Sequence, residues 1–158
     1  HISCCRRRSE VRGGSMTDVE FHFNVPDRLA YGCRLLRKAV HKGVGVAVTA
    51  PGPTLDALDR LLWTFGDSEF IPHLRLPAAS AVPPHLQHTP IWLVDRAEEA
   101  SHLPVLVNLG EQPAEGLGSF DRLIEIVSTL ASERESGRLR WRHYASRGYA
   151  ISRHEVGA

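Results

Sequence analysis

Residues 44–65 read VGVAVTAPGPTLDALDRLLWTF, and the change of period inside this stretch decides the fold. Val44 to Thr49 is a continuous apolar run of strand length, the pattern of a strand buried on both faces. Ala50-Pro51-Gly52-Pro53 interrupts it. Beyond the interruption Leu55, Leu58, Leu62 and Phe65 recur at the spacing of one helix face. Thr54 is the expected N-cap, Asp56 falls in the first turn, and Gly66 is the expected stop. Trp63 lies off the apolar stripe. Phe70-Ile71-Pro72-His73 then forms an apolar segment that ends where proline breaks regular structure, and its plainest reading is a plug in the gap behind the helix.

Upstream, Val19, Phe21, Phe23 and Val25 alternate with Glu20, His22 and Asn24, the period of a strand with one buried face. Pro26 ends it and Asp27 caps a helix whose stripe is Leu29, Cys33, Leu36 and Val40, with Lys38, His41 and Lys42 complementing its C-terminal dipole and Gly43 as its stop. Strand, helix, strand, helix is a βαβα opening, which calls for parallel pairing and a right-handed crossover. Downstream, residues 75–90 are rich in proline and read as a loop. Ile91 to Val94 and Val105 to Leu109 are strand-like, separated by the charged turn 95–102, and residues 112–119 form a second Gly/Pro-rich loop. Leu123 to Val127 fits helix or strand by periodicity; its short length and β-branched content favour strand. A last helix runs from Ser128 or Thr129 to about Ser146 with Gly148 as its stop, and Tyr149 to Val156 is a terminal strand. The whole is one α/β domain in three layers, a mostly parallel sheet flanked by helices.

The chain of 158 residues carries 19 basic and 18 acidic residues, a net charge of +1, which does not announce a nucleic-acid binder. No apolar run approaches the roughly 18 residues that cross a bilayer. Cys4, Cys5 and Cys33 offer neither a disulfide framework nor a metal-ligand spacing, so a reducing, cytoplasmic setting is expected. Residues 1–15, HISCCRRRSEVRGGS, lack the apolar segment of a secretory signal. Met16 is the sole methionine and the expected natural start, leaving 1–15 as a disordered leader and 16–158 as the domain.

Few residues are arranged for chemistry. Gly43-Val44-Gly45 precedes its strand, where a dinucleotide fingerprint follows one, and two prolines at 51 and 53 remove amide donors that a phosphate loop needs. His85 and His88, with His73 and His102 on either side, sit in loops without a paired cysteine or an HExxH helix. No GxSxG elbow is present. No catalytic residue, metal or cofactor is assigned. The last helix is more informative. Arg134, Arg138 and Arg142 repeat at i, i+4 and i+8, with Trp141 beside the stripe, while Leu139 and Tyr144 lie on other faces and are expected to pack inward. Such a stripe offers guanidinium forks for carboxylates next to an aromatic wall; a solvated basic face, partly paired with Glu133 and Glu135, or a nucleic-acid patch are the other readings.

Two segments carry a resemblance. LLWTFGDSEFIPH at 61–73 and RLRWRHYASRGYAISRHEV at 138–156 resemble the chi subunit family of bacterial DNA polymerase III, and strand-like segments follow in the family's order over about residues 18 to 155. The resemblance implies a Rossmann-like topology without a nucleotide site. It also implies a non-catalytic accessory subunit of a nucleotidyltransferase complex, linked to the clamp loader through a psi subunit and to the acidic C-terminal tail of the single-stranded-DNA-binding protein, with DNA engaged mostly indirectly. Carried over by motif, Trp63, Phe70 and Pro72 face psi, and Arg138, Trp141 and Arg142, supported by Tyr144, hold the tail. Trp141 stands where some family members carry tyrosine, keeping the platform and losing the hydroxyl. The alternative is an α/β nucleotide-binding or hydrolytic enzyme, which needs a phosphate-accepting crevice at the strand C-termini.

Overall fold

In the computed structural model, which describes residues 17–65, 70–76 and 81–156, the run at 46–49 lies in the interior of a seven-stranded sheet. In chain order the elements are β1 (Asp18–Val25), α1 (Arg28–His41), β2 (Val46–Thr49), α2 (Gly52–Thr64), β3 (His73–Leu76), β4 (Ile91–Val94), β5 (Val105–Asn108), β6 (Arg122–Ser128), α3 (Ala131–Ser146) and β7 (Ile151–Glu155). The strand order is β3-β4-β2-β5-β6-β1-β7, and every neighbouring pair is parallel. The expectations for residues 1–15, for Cys4 and Cys5 and for the stop at Gly66 fall outside the described residues.

The two faces of the sheet are covered differently. Cys33 and Leu36 of α1 and Leu55, Leu58 and Leu62 of α2 pack with Val48, Leu93, Val107 and Ile126 on one face. On the other, Tyr144 and Trp141 of α3 share the cover with loop residues such as Ala97, Leu103, Leu117 and Phe120, over Phe21, Leu106 and Leu123. The segments joining β4 to β5 and β5 to β6 hold only short 3-10 turns at Ala97–Ala100 and Leu117–Ser119, so α3 is the sole α-helix described on that face and leaves the sheet partly open beside it.

Most of the periodicity reading holds, with four corrections. The second helix begins at Gly52, two residues before the expected cap: Pro51 occupies the N-cap with no side-chain hydrogen bond and Pro53 sits in the first turn, where a missing N–H is harmless. Asp56 therefore lies past the first turn and pairs instead with Arg75 Nε at 3.0 Å. Strand β3 was missed: it is a short edge strand that follows proline, its residues mostly half-buried, so period two has no room to show. The alternation of β1 does not persist to its end. Asn24 takes φ 64° and the pairing with β6 shifts between His22 and Val25, so Val25 packs toward α1 while Val19 and Phe21 face α3. Finally, α3 starts at Ala131, and Ser128 Oγ accepts from the Leu130 amide at 3.2 Å just ahead of it. Asp27 caps α1 as expected, accepting from the Ala30 amide at 3.2 Å, and Gly43 stops it at φ 73°. Cys33 is buried, which together with Asp27 pushes its thiol up to about 11 and leaves it a poor nucleophile.

Candidate functional site

Helix α3 carries opposite chemistry on its two sides, and the site follows from that. Toward the sheet, its close approach depends on Gly137. A Cβ there would meet Val127 Cγ2 at 2.9 Å, so only glycine lets the helix lie this low on β6. Arg140, next on the inward face, is 2% exposed and donates from Nε to Glu125 Oε1 at 2.7 Å. Its Nη1 donates to Ser136 Oγ at 2.7 Å and to the Glu111 carbonyl at 3.2 Å. Asn108 Nδ2 donates to Glu125 Oε2 at 2.9 Å, and the Tyr144 hydroxyl donates to the same oxygen while accepting from the Ala114 amide at 2.8 Å. Complete burial pushes the Glu125 carboxyl up, against the pull of Arg140, Tyr144 and Asn108. Every one of those neighbours is a donor, which keeps Glu125 the acceptor of the set. Burial and Glu125 push the Tyr144 hydroxyl well above its ordinary value, so it stays a donor.

Away from this network the same helix forms one wall of a groove of about 390 Å³. Phe21 and Phe23 of β1 and Val127 of β6 make its floor. Trp141 is half-buried against Phe21, ring centroids 5.1 Å apart, and Tyr144 supports Phe21 from behind at 6.1 Å. Arg134, Arg138 and Arg142 rise along the helix side, spanning about 12 Å at the helical rise. The facing wall is Arg153 of β7, placed opposite Phe21 by the strand pairing and lying over the Phe23 ring at 5.0 Å. Among the described residues no carboxylate lines the groove, and of its arginines Arg138 alone has an acidic neighbour, Glu135 Oε1 at 3.4 Å. Glu133, expected to pair along the stripe, instead meets Arg28 at 3.6 Å.

The sequence-predicted residues thus fall into two places. Arg138, Trp141 and Arg142 share the groove, and Tyr144 lies buried beneath it with no surface of its own. Leu139, expected inward, is 56% exposed, because Arg140 takes the inward position for the sake of Glu125. Arg153 and the phenylalanine floor were missed as site residues; the alternation of β1 did mark Phe21 and Phe23, but nothing short of the strand order brings β7 beside them. Trp63 and Phe70 are exposed at 62% and 60% and stack on each other, centroids 5.3 Å apart, with His73 closing the stack 5.1 Å from Trp63. Ile71 is the plug behind the helix, and Phe70 is not. Pro72 is half-buried between them and His73, whose ring nitrogens reach the Ile71 carbonyl at 2.7 Å and Asp59 Oδ1 at 2.8 Å.

The crevice at the strand C-termini is the place an α/β enzyme of nucleotides would use. It measures about 410 Å³ and is lined by Asp95, Glu98, Glu111 and Glu115 with Arg96 as its cation, together with Pro51 and Pro113. Its charge opposes a phosphate. His85 and His88 are exposed, His102 stacks edge-on with Trp92 at 4.4 Å, and no three His, Cys, Asp or Glu side chains among the described residues converge as a metal set.

Comparison with known sequences identifies the family. The family described as DNA polymerase III chi subunit, HolC, matches residues 16–152. DNA polymerase III subunit chi of Pseudomonas aeruginosa is 29% identical over 147 residues, covering 89% of this chain and 98% of that protein. The chain belongs to the DNA polymerase III chi subunit family, accessory subunits of a bacterial replicative polymerase.

Proposed function

We propose that the α3 groove captures the acidic C-terminal tail of the single-stranded-DNA-binding protein, while the Trp63–Phe70–Pro72 patch docks a psi subunit or another part of the clamp-loader complex. One observation carries the first half: an apolar, aromatic floor rimmed by arginines with no acid in its lining. Arg138 and Arg142 stand one turn apart, so their forks reach a single terminal carboxylate and its acidic neighbours. The Phe21, Val127 and Trp141 surfaces shelter an apolar last side chain, which charge alone could not select. The stacked, exposed aromatics of the second patch are the composition of an interface anchor. The protein on this reading performs no bond chemistry; it holds two partners at once.

The test is titration of a labelled acidic peptide ending in phenylalanine. Binding in the micromolar range is expected, about −8 kcal/mol at its tight end. Amidating the terminal carboxylate or replacing the phenylalanine at equal charge should each weaken it by about 1–2 kcal/mol or more. Equal binding of all three peptides would reduce the groove to a generic basic surface. A pull-down on the immobilised DNA-binding protein with and without its tail asks the same of the whole partner.

A further inference from the structure

The face opposite the groove holds a second concave surface, used by nothing described above. From Arg28 to Leu55 the sequence contains no Asp or Glu, yet it carries Arg34, Arg37, Lys38 and Lys42. Arg34, Lys38 and Lys42 repeat every fourth residue along α1 and its C-cap, one row with steps of about 6 Å along the axis. All three are exposed, and no carboxylate of the described residues is paired with them. In a chain whose total charge is +1, this row is a local excess that the rest of the molecule must offset. Like charges four residues apart repel, an effect that the helix C-terminal dipole offsets at Lys38 and Lys42, and the row stays open to an anion.

Beside the row lies a hollow of about 270 Å³ between α1 and the sheet. Lys38 and Lys42 stand on one lip and Arg122 on the other. Leu35, Val44 and Val105 give it apolar walls. Its inner end is a set of rings: His22 meets Tyr31 edge-on at 5.7 Å and His154 at 4.9 Å. The carboxylate in the wall, Glu20, is already held by two bonds from Arg122 at 3.0 and 3.1 Å and by His22 at 3.2 Å. A row of cations beside an apolar hollow edged by rings suits a polyanion that carries flat, unpaired rings along its length.

We infer that α1 and the adjoining hollow form a binding surface for single-stranded DNA, with consecutive phosphates on Arg34, Lys38 and Lys42 and an unstacked base in the hollow. A duplex can offer the row its phosphates but has no free base for the hollow. The surface lies on the other side of the sheet from the α3 groove, so both can be filled together, and its test does not depend on the peptide reading.

Anisotropy of a fluorescein-labelled oligothymidylate with the full chain tests it, alongside a duplex of the same length and a polyglutamate of equal charge. Three neutralised phosphates, each contributing ~0.7 to the salt slope of a single strand, give about twenty-fold weaker binding between about 50 and about 200 mM salt. The single strand should bind at least about five-fold tighter than the duplex, the lower end of one base's stacking contribution. The combined Arg34→Ala, Lys38→Ala and Lys42→Ala variant should keep its Tm, lose about ten-fold or more at low salt and lose most of the salt slope. An unchanged slope in that variant, duplex or polyglutamate binding as tight as the single strand, or a loss that instead follows Arg138→Ala and Arg142→Ala, would each overturn the inference.

Discussion

Two arginines on α3, two residues apart, live in different solvents. Arg138 stands in water on the groove rim with Glu135 as a loose neighbour at 3.4 Å, whereas Arg140 is buried and spends its fork on Glu125, Ser136 and the Glu111 carbonyl. Their intrinsic chemistry is identical. A rotation of about 200° around the helix makes one a structural tie between α3, β6 and the loop after β5, and leaves the other free for a ligand. In such a helix the stripe, and not the count of arginines, says what each one is for.

The contrast breaks most sharply at the buried end. Arg140→Ala leaves the Glu125 carboxylate without its charge partner, and a loss of about 3–5 kcal/mol in denaturant unfolding is expected. Replacing Arg138 by Ala should move stability by no more than about 0.5 kcal/mol while weakening the acidic peptide by about 1–2 kcal/mol. If the two variants proved equally destabilising, the division of the helix into a structural and a binding side would fail.

Gly137→Ala tests both sides together. The added methyl runs into Val127, which forms the groove floor, so an overpacking cost of about 1–3 kcal/mol should come with reduced peptide affinity. Trp63→Ala probes the other exposed site. A stability change below about 1 kcal/mol with loss of a clamp-loader partner in a pull-down is expected, against about 3–5 for a truncated core aromatic.

The smallest effect concerns His22, a case between the two arginines: nearly buried, yet at the edge of a hollow. Burial lowers its pKa, opposed by Glu20, and the Tyr31 hydroxyl and Glu20 hold the neutral ring between them. A depressed histidine pKa means that the unfolded chain takes up the proton first. Stability is therefore complete above about pH 6.5, the unfolded value, and declines as pH falls from there toward the folded pKa. Thermal melts of His22→Gln should show a flatter pH dependence over that window than the parent.

How much of this was legible in the sequence follows from the range of each interaction. Strand β2 and helices α1 and α2 announce themselves because their period is local, and Trp63 was already marked as lying off its stripe. The arginine row on α3 was visible for the same reason. What remained hidden depends on which strands become neighbours. Leu139 looked like the core residue and Arg140 drew no reading at all, because Glu125, the partner that holds Arg140 inward, lies on β6 and nothing nearby in the chain points to it. Arg153 stayed hidden until β7 was seen beside β1. The turn at Asn24 is a third kind of miss: one residue at positive φ moves Val25 to the other side of the sheet without altering the letters of an alternating strand.

The three tryptophans have ended up in three different situations. Trp63 stands in solvent against Phe70, Trp141 forms a wall of the groove over Phe21, and Trp92 is buried with its indole N–H given to the Thr89 carbonyl at 2.8 Å. The molecule therefore carries its own set of optical probes. With Trp63 and Trp141 replaced in turn by phenylalanine, the remaining emission separates events that a single binding curve merges. A partner at the α2 patch alters Trp63, a peptide in the groove alters Trp141, and unfolding alone reaches Trp92. Whether the two proposed docking surfaces are occupied in one complex or by turns can then be read from the two unlabelled variants, by which emission moves first.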